Sequence, residues 1–225
     1  MQITQIISDL HSFANPENLA GMARYGINTT NTLGISMPQL RKYARSYKNN
    51  HAVALDLWKS GIHEARILAA LIDDPKQVTT AQMDRWAADL DSWDVCDQCC
   101  SSLFVNTPYA YAKVVEWSYR EEEFVKRAGY AMMAILAVRD KKADDAVFSA
   151  FFPLIIEGAG DERNFVKKAV NWALRQIGKR SRRLHEEALQ VGEQIKAMDN
   201  KSARWIAADA LRELRDEKTI GRIRR

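Results

Sequence analysis

The sequence is poor in most of the signals that announce chemistry. No apolar stretch among its 225 residues approaches the roughly 20 needed to cross a bilayer. The N-terminus shows no basic region followed by an apolar run, so no signal peptide is read there and a cytoplasmic protein is expected. Cysteine is confined to Cys96, Cys99 and Cys100. An odd, clustered set of thiols makes no disulfide framework and points to a reducing cytosol. The C-x-x-C-C spacing lacks a second cysteine pair, and His11, His51, His63 and His185 are scattered. Packing of the thiols on an apolar helix face is therefore favoured over zinc, and no metal or cofactor is expected. His185, beside Glu186, reads as part of a solvated helix face. Neither common glycine-rich phosphate loop occurs; Gly158 and Gly160 mark only an interhelical turn. No Ser-His-Asp or Cys-His order stands out, and nothing marks Lys167, Lys168 or Lys179 as a buried Schiff-base lysine. Alternating β-branched runs are missing as well. Helix is what remains.

With 47% apolar and 28% charged residues, the chain can bury a sizeable core. Its length suits one extended domain or two small ones; the reading is a single domain over 1–225. Amphipathic helices are expected at about 3–13, from Pro16, from Ser36 to Tyr47, and at about 51–60, 62–73 and 80–90. Ser36 and Ser92 are candidate caps, the latter for SWDVCDQCCSSLF, and Thr107-Pro108 opens the next helix. Further helices are expected at 121–138, 143–157, 161–178, 181–197 and 200–215, with Tyr25–Ile35 a polar loop and Gly221–Arg225 frayed.

The stretch 161–183 shows the pattern most clearly. Phe165, Ala169, Ala173 and Ile177, with Val166, Val170 and Leu174, form a broad apolar stripe opposite Asn164, Lys168, Asn171 and Arg175. Acids (Asp161, Glu162) precede it and bases follow it, as the helix dipole favours. Trp172 sits on the border, placed either to pack against a neighbour or to touch a polyanion.

Five segments share one pattern, and aligning the small–hydrophobic pair in each puts Ala70, Ser102, Met132, Ala173 and Ala210 in register, at intervals of 32, 30, 41 and 37 residues. Helix pairs at that period make an α-solenoid of HEAT-like repeats. In this register Asp97, Arg127 and Lys168 are equivalent positions, with Trp93 one turn before Asp97 and Trp172 one turn after Lys168. The arithmetic gathers them on one groove. Asp97 borders an apolar stripe, and a partly desolvated carboxylate near a cationic reaction centre lowers the energy of a cationic transition state. Trp93 offers that cation a π-face. The alternative is a structural ion pair between Asp97 and Arg127.

Charge is unevenly spread. Residues 1–112 carry 9 Lys/Arg against 11 Asp/Glu, net −2, and residues 113–225 carry 24 against 18, net +6. A polyanion is expected to be gripped by the C-terminal half, with Lys168, Arg175, Lys179, Arg180, Arg182, Arg183, Lys201 and Arg204 as candidate phosphate contacts; a solvated basic face is the alternative.

YGI, GIS-x-P-x-L-R, W-x-S-x-x-H-E-A-R, S-W-D-x-x-D, FVKRA and KAVNWALRQIGK follow one another in this order. Together they resemble the AlkD-like, HEAT-like-repeat DNA alkylation-repair glycosylases over about residues 20–215. The resemblance implies an all-α, C-shaped solenoid with double-stranded DNA in its concave groove; a monomer is expected. It also implies excision of cationic N3- and N7-alkylated purines without metal or cofactor. It casts Asp97 as the carboxylate that stabilises the sugar oxocarbenium ion and orients water. Trp93 and Trp172 become the aromatic pair at the lesion, and Arg127 the arginine near the lesioned strand's backbone. Ser92 stands where the family often has a second tryptophan, and the N-terminal helices read as short. The alternative function is a non-catalytic binder of branched or unusual DNA, or a protein-interaction scaffold.

Overall fold

The structure, a computed structural model, describes residues 2–223. Among these it is helical throughout, with no strand. The chain divides into two compact units, residues 1–110 and 111–225. The first holds α1 (Gln2–Ser12), α2 (Glu17–Arg24), α3 (Met37–Ala44), α4 (His51–Lys59), α5 (His63–Ile72), α6 (Thr80–Ala88) and α7 (Trp93–Ser102). The second holds α8 (Ala110–Ser118), α9 (Glu123–Arg139), α10 (Asp145–Ser149), α11 (Phe152–Gly158), α12 (Asn164–Gly178), α13 (Arg182–Lys196), α14 (Lys201–Leu214) and α15 (Glu217–Ile220).

The expected boundaries hold to within a few residues, with instructive exceptions. Residues 143–157 form two helices, because Pro153 has no N–H to donate to the turn before it and sits in the first turn of a new one. The short α15, capped by the Asp216 side chain, was not foreseen. Of the expected frayed tail, Arg224 and Arg225 lie outside the described residues.

Loop 25–36 needs more explanation than any helix. Its backbone donors have no ladder to join, and buried unsatisfied N–H groups are costly. Glu64, at the start of α5 and 1% exposed, meets three of them. Its Oε1 accepts from the N–H of Gly34 at 2.7 Å and Ile35 at 3.1 Å, and its Oε2 from Leu33 at 2.9 Å. Gly34 has φ +77°, and a Cβ there would lie 2.2 Å from the Asn15 carbonyl oxygen, so only glycine fits. Nearby, Trp58 stacks on Trp86 at 4.1 Å and donates to Asp89 at 2.8 Å, which fixes α4 against α6.

In the second unit α9 and α12 pack along their length. Gly129 lets α9 close on α8, where a Cβ would lie 2.9 Å from the Ser118 nitrogen. Val166, Ala169, Val170, Ala173, Leu174 and Ile177 of α12 are all fully buried. A buried Leu or Ile of this kind is worth roughly 1.5–3 kcal/mol. Of the residues brought into register by the repeat, Ala70, Met132, Ala173 and Ala210 are at most 1% exposed. Ser102, at the end of α7, is half-buried.

Removing the Glu64 carboxylate strands three buried donors. Glu64→Ala is expected to destabilise the first unit by about 2–4 kcal/mol, read by chemical denaturation.

Candidate functional site

In the first unit the candidate site is built at the start of α7. Ser92 is fully buried, but it does not cap the helix as expected; its Oγ donates to Asp94 Oδ1 at 2.6 Å instead. Asp94 Oδ2 lies 2.8 Å from Nε2 of the buried His63. This bridge ties α5 to the first turn of α7. Burial pushes the Asp94 carboxyl up, yet the hydrogen bonds from His63 and Ser92 outweigh it and hold the group below the usual carboxylate range. Burial likewise pushes the His63 imidazole down, but the bond to Asp94 and the charges of Asp94, Glu64 and Asp91 outweigh it and raise the group.

Trp93 and Asp97 follow from that anchor. They are four residues apart, so they share one face of α7. Both are half-buried and both line a cavity of about 670 Å³ within the first unit. Met22, Ile27, Ile35 and Ile67 give the cavity apolar walls. Trp93 Nε1 donates to the Tyr25 carbonyl at 3.0 Å, so the indole is held against loop 25–36. A carboxylate beside an aromatic face in a largely apolar recess suits a transient cation. Also on α7, Cys96, Cys99 and Cys100 are fully buried and none forms a disulfide. Burial pushes the Cys99 and Cys100 thiols well up.

In the second unit Arg127 is only 6% exposed, and its Nη1 donates to the Phe165 carbonyl at 2.7 Å, bracing α9 on α12. Trp172 is half-buried and Lys168 exposed. Asn171, expected on the polar side, is buried and donates to the Ile206 carbonyl at 3.2 Å. The helix α14 packs over that side of α12, and a buried amide needs a partner.

The basic residues separate into two groups. Arg175 and Lys179 both reach the Glu213 carboxylate. Arg180 bonds Asp145 at 3.2 Å, the Ala137 carbonyl at 3.0 Å and the Ala143 carbonyl at 2.6 Å, with its guanidinium 4.1 Å from the Phe148 ring centroid. These three, read as phosphate contacts from sequence, are engaged by the protein itself. Arg182, Arg183, Lys201 and Arg204 are exposed, Arg183 pairing with Glu187 and Arg204 with Asp199. His185 is also corrected: it is buried, with Nδ1 3.0 Å from the Gly178 carbonyl, so it closes the end of α12 rather than facing water.

The comparisons with known proteins now bear on this arrangement. A family model described as "DNA alkylation repair enzyme" matches residues 6–214. The chain belongs to that family. It is similar to "Uncharacterized protein Lin0241" of Listeria innocua serovar 6a (strain ATCC BAA-680 / CLIP 11262), 22% identical over 195 residues and 85% of each chain. It is also similar to a solved structure described as "A new family of proteins related to the HEAT-like repeat DNA glycosylases with affinity for branched DNA structures". That match has a TM-score of 0.79 at 19% identity and covers 99% of this chain and 96% of the other. The all-helical chain thus has the HEAT-like-repeat fold.

His63, Asp94 and Glu64 were not singled out from sequence. Their signal was the interruption of an apolar run by adjacent His63 and Glu64, which a buried helix start tolerates only when both are bonded.

Two measurements follow from these contacts. The Asp94 contribution is present above its ordinary value of 3.8 and is lost as pH falls through the depressed one. The His63 contribution is complete below 6.5 and is lost as pH rises through the raised value. The pair therefore stabilises most between about 3.8 and 6.5. An NMR titration is expected to show His63 titrating above 6.5 in the wild type and moving downward in Asp94→Asn. Separately, Arg180→Ala is expected to destabilise the second unit by about 2–4 kcal/mol in a denaturant melt, whereas Arg183→Ala leaves the melt unchanged.

Proposed function

We propose that this protein is a monofunctional DNA glycosylase that hydrolyses the N-glycosidic bond of cationic, N3- or N7-alkylated purines in duplex DNA. The observation that carries the reading is the pairing of Asp97 with Trp93 one turn apart on α7, lining one apolar-walled cavity, in a chain of the DNA alkylation repair family.

The mechanism follows from charge. An alkylated purine already carries a positive charge, so it departs with the bonding electron pair as a neutral base and needs no general acid. The sugar left behind is an oxocarbenium ion. Asp97 stabilises that ion electrostatically in a half-desolvated setting, where a carboxylate acts more strongly than in water. The same carboxylate accepts a hydrogen bond from the water whose oxygen attacks C1′, and the released proton passes through it to solvent. Trp93, held by the Tyr25 carbonyl, presents its ring to the cation. In the second unit Trp172 and the exposed Lys168, Arg182, Arg183, Lys201 and Arg204 are the candidate DNA contacts, while Arg127 braces α9 on α12. Arg175, Lys179 and Arg180 act instead by positioning the helices that carry them.

A second reading, a non-catalytic binder of branched DNA, is favoured by the description of the structural relative, which concerns affinity for branched DNA rather than excision.

Base release from a duplex bearing a single N7-methylguanine separates the two. Wild type is expected to release the base, and Asp97→Asn to do so at least about 100-fold more slowly. Full release by Asp97→Asn would overturn the role given to the carboxylate. Duplex binding by wild type without release would favour the second reading.

A further inference from the structure

The row of equivalent positions that contains Asp97, Arg127 and Lys168 has two more members, the small Ala65 and one at its C-terminal end. Each lies five residues before the aligned small–hydrophobic pair of its helix, and the same count from Ala210 on α14 reaches Trp205. Trp205 is 41% exposed, an unusual amount for the largest apolar side chain. It is not isolated. The Asn171 amide fixes α12 against α14 through the Ile206 carbonyl, and this contact brings Lys167 Nζ to 5.0 Å from the Trp205 ring centroid. Lys168, Lys201 and Arg204 are exposed on the same two helices.

The acids nearby do not cancel this charge. Asp199 pairs with Arg204 at 3.1 Å and Asp209 is bonded by Arg212, which leaves Lys167, Lys168 and Lys201 as the cations of the frame. An exposed indole within a cationic frame is the arrangement that receives nucleotides: the ring stacks on a base while the ammonium groups meet phosphates. A base inside an intact duplex is stacked on its own neighbours and cannot offer its face. An unpaired nucleotide can.

We infer that Trp205, with Lys167 beside it, is a stacking site for an unpaired nucleotide, and that DNA carrying a single-stranded tail at a duplex end or branch is held there in preference to plain duplex. The inference rests on the DNA-binding reading above, but not on catalysis by Asp97.

The test uses fluorescence anisotropy with a blunt dye-labelled duplex and the same duplex extended by a short single-stranded tail. Wild type is expected to bind the tailed DNA more tightly. Trp205→Ala is expected to weaken tailed-DNA binding about 5- to 100-fold while leaving the blunt duplex unchanged, and Trp205→Phe to keep most of the preference. Equal affinity of wild type for both DNAs overturns the inference, as does an equal loss on both in Trp205→Ala. Base release from the N7-methylguanine duplex is read on the same proteins. A tail preference without any release by wild type leaves this site standing and removes the glycosylase reading. Release by wild type with no tail preference does the reverse.

Discussion

Three backbone N–H groups, on Leu33, Gly34 and Ile35, converge on the carboxylate of Glu64. Loop 25–36 has no regular structure of its own, and where its backbone is buried, at Gly34 and Ile35, its amides must find acceptors. Glu64 supplies them from the first turn of α5, where the helix dipole also favours a negative charge. Once the loop is held, Tyr25 lies where its carbonyl receives Trp93 Nε1, and the space left beneath becomes the cavity that Asp97 lines. The position of the candidate reactive carboxylate thus depends on a different carboxylate, the one that holds the loop.

The adjacent His63–Asp94 bridge has a related function. Two neighbouring residues of α5 point to different partners, one to the loop and one to α7. A single helix start therefore sets both walls of the recess. Asp94 and Asp97 sit on the same short helix and both line the cavity, the first bonded to His63 and Ser92.

Much of this architecture was legible in the sequence because apolar periodicity reports helices directly. The stripe of α12 was legible from spacing, and four of the five positions aligned from Ala70 to Ala210 are buried. Periodicity says nothing, however, about polar side chains that bury themselves by finding a partner. Asn171 and His185 read as water-facing from their neighbours, yet each is inside because a carbonyl on a packed helix accepts or orients it. Cations mislead for a similar reason: Arg180 and Arg183 look alike in a basic run, and only the fold reveals that one is wrapped by Ala137, Ala143, Asp145 and Phe148. Fold class is a property of averages along the chain, whereas a site depends on single contacts between residues distant in sequence.

The three buried cysteines of α7 have a chemical consequence of their own. Reagents that methylate purine nitrogens also methylate thiolates, and it is the thiolate rather than the thiol that reacts. Cys99 and Cys100 are wholly enclosed, and burial holds them in the protonated form. The Cys99 and Cys100 thiols are therefore poor targets for the electrophiles that damage DNA. Burial keeps these soft nucleophiles where such electrophiles do not reach.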